Sequence, residues 1–568
     1  MTSWRRPGGS GAAFLGRKSI MEKEKLKPML FSVLKGYNGK QFAQDLISGI
    51  IVAIIALPLS IALALASGVG PEEGLYTAIV AGFIISFLGG SRVQIAGPTA
   101  AFATIVAGIV ATKGMEGLAL ATVFAGILLI LMGVFKLGSL IKFIPYTITT
   151  GFTAGIAVTI LIGQIKDFLG LTYPAGTATV ETMDKIEAIG RNIGTINYQA
   201  LIVGIVCLVI QIVWPKISSK IPGSLIAVIV GIFMVKLLGL NVNTIGDLYE
   251  IKGQLPAFRL PALSYPMLKD VAGDGFTIAI LAAIESLLSC VVADSMIDSK
   301  HRSNMELVAQ GAGNIGSALF GGIPATGAIA RTAANIKNGG RTPIAGMIHS
   351  ICLVLVLVVL MPYAALIPMP TIAAILFMVA YNMCQWRTFV HLVKTAPKSD
   401  ILVLVLTFVL TVVFDLVVAI EIGMVLACLL FMKRMSEESR VRGWKYFDPE
   451  DDPDGMGLKD IPHHVRVYEI SGPMFFGDAE QVAEISIKDF TKALVIRMRG
   501  VPAIDATAMH SFEQLYDRCK KNDVQLVFSH VNEQPMKTME KDGFVELVGR
   551  ENFLPHIDEA LKRAAEIQ

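Results

Sequence analysis

The stretches GPTAAFATIVAG (residues 97–108) and TGAIARTAANI (residues 326–336) decide how this chain is read. Each is apolar, and each is too short to cross a bilayer, whose hydrocarbon core takes about 20 helical residues. SRVQI (91–95), alternating like a brief strand, precedes the first, and FGGIP (320–324) precedes the second. Each is the third apolar segment of its half, counted from Asp45 and from Asp274. Short segments broken by Gly and Pro at matching positions of two halves mark an inverted-repeat transporter with its site between broken helices. Pro98 suits a first helical position, where a missing N–H costs nothing, and Thr326 suits an N-cap. Two helices that begin in mid-membrane aim free N–H groups and positive dipole ends at one point, which attracts anions. Two re-entrant loops that merely pack are the alternative.

Outward from these breaks, apolar runs of spanning length recur near 45–66, 73–90, 117–135, 143–165, 198–214 and 222–240. They resume near 275–296, 305–320, 342–361, 363–383, 400–414 and 416–432. Twelve full spans and two half-helices make fourteen segments, seven per half. The chain of 568 residues is 53% hydrophobic and 17% charged, against roughly 25% charged for an ordinary soluble chain. Residues 45–432 hold 21 Lys/Arg and 19 Asp/Glu, whereas the far shorter segment 433–568 holds 19 and 25. One membrane part and one soluble C-terminal part follow. A single soluble globule, a disordered chain and a disulfide scaffold are excluded. The net charge of +3 gives no reason to expect nucleic acid as a partner. The six cysteines are scattered singly, with no zinc spacing and no disulfide framework expected. Residues 1–44 carry nine Lys/Arg and two Asp/Glu, and KRMSEESRVRGWK follows the last span. Positive flanks mark the cytoplasmic side, so both ends and the soluble domain are expected in the cytoplasm of a multi-pass protein of the cell membrane. The first 20 residues read as a tail and not as a signal peptide, lacking an apolar core of the usual length.

Charges inside the membrane part carry the functional reading, because a charge there is costly unless partnered. Glu285, in FTIAILAAIESLLSCVVADS, has about ten mostly apolar residues on either side, and Ser289 lies one turn on. A poorly hydrated carboxyl suits loading and release of a proton. Coordination of Na⁺ and a structural ion pair with a buried Arg or Lys are the alternatives. Arg331 falls in the opening turn of the second half-helix, where a cation opposes the dipole. An anion between the half-helices supplies a reason for it, and neutralisation of Glu285 supplies another. Asp294, Asp298, Lys300, His301 and Arg302 read as an interfacial loop, Asp415 and Glu421 as flanks of an external break, and Asp45 as a helix start. No nucleophile–base pair and no phosphate loop is present; GGSRVQIAGP lacks the Gly-Lys-Ser/Thr ending. No enzyme activity and no cofactor beyond a coupling ion is expected.

After the acidic stretch DPEDDPDGMG, the tail alternates short strands (VRVYEIS, ALVIRMRG, VQLVFSHV) with helices. The helices are DATAMHSFEQLYDRCKKN, with Asp505 at its start, and segments near 533–541 and 556–566, a small α/β domain. The expected organisation is an N-terminal tail (1–41), a transmembrane domain (42–434), a linker (435–461) and the α/β domain (462–568).

Three stretches resemble the SulP family of anion transporters, which includes prestin and solute carrier family 26. They are ALPLSIALALASGVGPEEGLYTAIVAGFIISFLGGSRVQIAGPTAAF, AAIESLLSCVVADSMIDSKHRSNMELVAQGAGNIGSALFGGIPATGAIARTAANIKNGGRTPIAG and, in the tail, ALVIRMRGVPAIDATAMHSFEQLYDRCKK, which looks like a STAS domain. The resemblance implies a polytopic α-helical fold with a seven-plus-seven inverted repeat, core and gate domains, elevator-like alternating access and a homodimer in lipid. It places the anion site on Pro98, Thr99, Ala100, Ala330 and Arg331, with Leu57 to Leu59 from the first span, and cation coupling on Glu285. The chain departs from sulfate-type members at Leu59, where many carry Gln after the first-span Pro, which favours a small carboxylate or bicarbonate. Glu rather than Asp at 285 leans toward H⁺ over Na⁺. In the tail, Asp505-Ala506 replaces the Asp-Ser phosphoacceptor, and Thr507 comes one residue late, which argues against phosphoswitching. The expected function is proton-coupled symport of a small dicarboxylate or similar oxyanion. A sodium-dependent bicarbonate or sulfate importer is the alternative, with a channel or exchanger behind it.

Overall fold

The computed structural model describes residues 26–139, 145–174, 177, 179, 181–218, 221–261, 265–414, 416–438, 440–443, 461–475, 482 and 485–567. The tail 1–20, Asp415 and the stretch DPEDDPDGMG lie outside the described residues. By internal packing the chain forms two units, Met1–Met424 and Val425–Gln568.

The first unit opens with α1 (Leu30–Val33), α2 (Gly39–Ala66), α3 (Pro71–Leu88), β1 (Ala96–Gly97), α4 (Ala100–Val134) and α5 (Tyr146–Leu169). It continues with α6 (Thr182–Asn192), α7 (Tyr198–Ile217), α8 (Gly223–Leu238), α9 (Ile245–Leu248), α10 (Tyr265–Ile297) and α11 (Ser303–Leu319). It closes with β2 (Thr326–Gly327), α12 (Ile329–Lys337), α13 (Pro343–Ala364), α14 (Met369–Cys384), α15 (Trp386–Thr395), α16 (Lys398–Val413) and the start of α17 (Leu416–Glu438). Eight helices among the described residues are long and apolar enough to cross a membrane, and α8 is a shorter apolar helix. Such helices satisfy every backbone group internally, the condition for passing through hydrocarbon.

The helices sort into two packing groups. One contains α2, α3, α4, α10, α11, α12 and α13, and the other contains α5, α7, α8, α14 and α16. Close approach in the first group depends on missing side chains: a Cβ at Gly126 of α4 would lie 2.7 Å from Gly311 O of α11. Without a hydrophobic drive between helices in lipid, such small-residue seams provide the contact.

Several local expectations are corrected. The segments expected at 97–108 and 117–135 do stand as two helical stretches of α4, the first starting later and running further than expected, parted by non-helical backbone at Gly114 (φ 69°, ψ −174°). That left-handed backbone is one glycine adopts without strain. Beside the bend, Lys113 Nζ reaches Asp274 Oδ2 at 2.6 Å and ties α4 to α10. Pro98 is not the first helical residue: α4 begins at Ala100 with extended Thr99 before it. Thr326 is no N-cap either; it lies in β2, its hydroxyl donates to Ala282 O (3.1 Å), and Ala328 precedes α12. The span expected at 363–383 begins at Met369 and bends at left-handed Gln385 (φ 43°) into amphipathic α15.

Asp45 does not start its own helix. Asn38 does that, accepting from Gln41 N (2.9 Å) in a capping box. Asp45 is fully buried and serves the start of α13 instead, accepting from Arg341 N (2.9 Å), Thr342 N (3.3 Å) and Thr342 Oγ1 (2.5 Å). Tyr37 OH donates to its Oδ2 at 3.1 Å, the oxygen that also accepts from Thr342 Oγ1. Burial, reinforced by the Asp45 charge, pushes the Tyr37 phenol up to about 12 and keeps it a donor throughout the working pH range.

In the second unit a five-stranded sheet runs in the order β3 (Arg440–Gly443), β4 (Val465–Ser471), β5 (Ala493–Gly500), β6 (Gln525–Ser529), β7 (Phe553–Leu554). Only β3–β4 is antiparallel. Helices α18 (Ala506–Lys521), α19 (Glu533–Asp542) and α20 (Phe544–Val548) cover one face and α21 (Ile557–Ala565) the other. Central β5 is buried over its first six residues, all apolar except Arg497, which meets Glu469 Oε1 at 3.1 Å, as suits a strand covered on both faces. Asp505 caps α18 through Ala508 N (2.9 Å), as expected. The short strands β3 and β7 were not expected.

Replacing Asp45 with Ala is expected to destabilise the protein by about 1–3 kcal/mol, because buried N–H donors at Arg341 and Thr342 lose their acceptor. Thermal unfolding in detergent measures it, and a variant that melts like the wild type would refute the cross-helix cap.

Candidate functional site

Strand β1 pairs antiparallel with β2, Ala96 opposite Gly327 and Gly97 opposite Thr326, with all four residues buried. The ladder is extended by Ala328 N donating to Ile95 O (2.9 Å) and Ile95 N donating to Thr332 Oγ1 (3.0 Å). Two breaks far apart in sequence thus satisfy each other's backbone groups and send off helices at Ala100 and Ile329. The C-terminal part of α12 is held by Ser48 Oγ donating to Asn335 Oδ1 (2.7 Å) and by Asn335 Nδ2 donating to Val93 O (2.8 Å).

Arg331, the third residue of α12, is 1% exposed, and its Nη2 donates to Pro98 O at the crossing. Its Nε and Nη1 are buried and have no partner among the described residues. Gly97 makes the geometry possible, since a Cβ there would stand 2.5 Å from Arg331 Nη1. Thr99 Oγ1 donates to Glu285 Oε2 (3.0 Å), joining the first half-helix to α10. Among the described residues no ion pair joins Glu285 and Arg331. The two groups meet adjacent residues of one corner, Arg331 the Pro98 carbonyl and Glu285 the Thr99 hydroxyl.

The other expected site residues are distributed around this corner. Ser289 faces Thr332, Oγ to Oγ1 at 3.5 Å, in the buried interior. Ala100 is buried, Ala330 exposed and Glu285 half-buried. Leu57 and Leu59 are half-buried in α2. Leu59 lines a cavity of about 670 Å³ between α2, α7, α8 and α14, whose walls do not include Arg331.

Sequence reading missed a polar stripe on α11. Glu306, fully buried, accepts from Gly90 N (2.8 Å), Ser91 N (3.1 Å), Gln94 Nε2 (3.0 Å) and Gln310 Nε2 (3.0 Å). Cys290 Sγ donates to Gln94 Oε1. Asn314 brackets Ala325, donating to its carbonyl (2.9 Å) and accepting from its N–H (2.9 Å). These side chains hold the two segments that lead into the crossing. Their spacing of four residues within one apolar helix was the available signal. His349 of α13 was also missed; it is fully buried with both ring nitrogens unpartnered among the described residues.

Helices of spanning length, two crossed breaks with a buried cation between their helix starts, and a mixed-sheet domain later in the chain define a polytopic membrane transporter with a C-terminal STAS domain. The sequence pattern of the Sulfate permease family matches residues 42–407, and that of the STAS domain matches 458–560. YvdB of Bacillus subtilis (strain 168), provisionally named a sulfate transporter, is 40% identical over 534 residues, 92% of this chain and 98% of YvdB. The bicarbonate transporter BicA of Picosynechococcus sp. is 30% identical over 539 residues, 92% of this chain and 94% of BicA. The inward-facing structure of the murine Solute Carrier 26 family member A9 anion transporter superposes with a TM-score of 0.85. It covers 95% of this chain and 94% of that one at 20% identity, a likeness of fold. The chain belongs to the sulfate permease family. It is an anion transporter of that family and not an enzyme.

Substituting Gly97 with Ala is expected to displace the Arg331 guanidinium and to destabilise the protein by about 1–3 kcal/mol through overpacking. Thermal unfolding and anion binding of the purified variant check this, and wild-type values for both would refute the close approach.

Proposed function

We propose that this chain is a secondary active transporter that carries a small oxyanion, a dicarboxylate or a similar carboxylate, together with protons. The observation that carries the reading is Arg331: a buried guanidinium whose Nε and Nη1 lack partners among the described residues, beside the start of α4 and in the first turn of α12. An anion there would accept those hydrogen bonds and offset the unfavourable placement of a cation at a helix N-terminus. The site would comprise Pro98, Thr99, Ala100, Ala330 and Arg331, with Leu57 and Leu59 from α2. Leu59, which offers no hydrogen bond, is the feature that favours carboxylates over sulfate. Glu285 would load the proton, with Ser289 one turn away, and its bond to Thr99 would convey its state to the half-helix.

In this reading fourteen segments form two inverted sevens. The group built from α2, α3, α4 and α10 to α13 moves as an elevator against the group built from α5, α7, α8, α14 and α16. The chain works as a homodimer in the cell membrane, with both ends and the STAS domain in the cytoplasm. A second reading, sodium-driven bicarbonate uptake, is favoured by the likeness to BicA along nearly the whole chain.

Two outcomes are expected in proteoliposomes. Arg331→Ala should weaken anion binding by about 2–5 kcal/mol, the usual result of truncating one partner of a desolvated charge contact; wild-type affinity would remove Arg331 from the site. Glu285→Gln, which mimics the protonated carboxyl, should still exchange anion yet lose uphill uptake driven by a pH gradient. In the wild type, acid pH should tighten anion binding by the factor by which the anion favours protonation. Full proton-driven accumulation by the Gln variant would refute the coupling role. Wild-type uptake that follows a Na⁺ gradient and ignores pH would establish the second reading.

A further inference from the structure

Helices α7 and α8 fold back on each other where they meet, and Trp214 Nε1 donates to Ile221 O (3.1 Å) across the turn. This sets the first residue of α8 against α7: a Cβ at Gly223 would lie 3.4 Å from Gln211 Cα. The position before the helix is Pro222, which supplies no side-chain cap. The N–H groups of Gly223 and Ser224 therefore have no acceptor among the described residues. Gln211 is 8% exposed, and its Nε2 amide is likewise without a partner among the described residues. All three residues open on the cavity of about 670 Å³ that Leu59 also lines, and none of the lining residues is acidic.

A buried primary amide inside a helical membrane unit is costly when unsatisfied. Here it lines the same cavity as the free N–H groups and positive end of a 16-residue helix, so Gln211 Nε2 and the helix start together present unmet donors. A ligand that completes the set must bring acceptors and negative charge. The rest of the wall is largely apolar, with Ile55 and Leu59 on α2 and Ile375 and Met378 on α14. Those apolar walls lower the local dielectric around one charged end and strengthen each hydrogen bond made there.

We propose that Gln211 and the N-terminus of α8 form a second anion site, a staging position for the carboxylate end of the transported oxyanion beside Leu59. The proposal rests on the anion-transport reading and supplies the uncharged donor that Leu59 does not. Gln211 reads the anion's oxygen, and the start of α8 balances its charge.

Equilibrium binding of radiolabelled succinate and bicarbonate to the purified full chain tests it, alongside uptake kinetics in proteoliposomes. The wild type is expected to show two classes of site for at least one anion. Arg331→Ala should lose the tighter class and keep the weaker, and Gln211→Glu should do the reverse, because a carboxylate there repels the ligand. Gln211→Leu, which keeps the volume but not the donor, should raise KM roughly tenfold with kcat and melting temperature unchanged. That split between KM and kcat is one a purely structural role would not produce. A single class of site in the wild type, or Gln211 variants with wild-type binding and KM for both anions, overturns the proposal. Unimpaired binding and uptake by Arg331→Ala would overturn the Arg331 reading separately, since the Gln211 variants are scored on the other class.

Discussion

At Ala96–Gly97 and Thr326–Gly327 the chain crosses itself in the buried interior of a helical unit, and the arrangement of the site follows from the hydrogen bonds made there. A helix that stops inside an apolar environment leaves peptide groups that no water can satisfy. One broken helix would be strongly disfavoured. Two broken helices that pair their loose ends meet the requirement, and the pairing forces their starts to face one corner. Arg331 then reaches Pro98 O although the two residues are 233 positions apart. The guanidinium has five donors and this corner offers one backbone acceptor, so a surplus of donors is built into the crossing.

The crossing is held from outside by side chains that are themselves hydrogen-bonded. Glu306 is fully buried, yet four donors surround its carboxyl group, the circumstance in which such a group is tolerated. Asn314 completes Ala325 as a strand neighbour would. Arg331, His349 and Gln211 are among the buried side chains that keep unpartnered atoms among the described residues, as does Gln310 Oε1 within the stripe itself. Buried polar networks rigidify when complete, and groups left open mark where something else must bind or move.

The two helix groups divide the labour in a manner that packing alone makes visible. The crossing, Glu285 and Arg331 all belong to the first group, whereas Gln211 and the start of α8 belong to the second. Leu59 of α2 lies on the wall between them, so the cavity joins the group that holds the cation to the group that presents uncharged donors. The STAS unit has a core of its own: its sheet is organised about β5, buried on both faces, and is closed by its own helices.

What the sequence determined by itself was whatever depends on near neighbours. Runs of about 20 apolar residues announce helices long enough for a bilayer. Gly and Pro at 97–98 and 321–324 announce the breaks, and Asp505 announces the helix that it caps three residues on. Arg331 and Glu285 were legible because a lone charge among apolar residues is conspicuous. Tertiary structure decided the partners. Asp45 sits where a helix start belongs, yet it serves a helix start 296 residues away, because its own helix was already capped by Asn38. Thr326 gave up its expected cap because backbone pairing at the crossing holds it in β2, and Pro98 gave up the first helical position because extended Thr99 delays the helix to Ala100. Gln211 drew no reading in the sequence, where it is one polar residue in an apolar span, and only the return of α8 against α7 brings Gly223 against its main chain. Capping and periodicity act over three or four residues and are written locally. The satisfaction of buried donors and acceptors is settled between segments hundreds of residues apart, and it exists only once those segments meet.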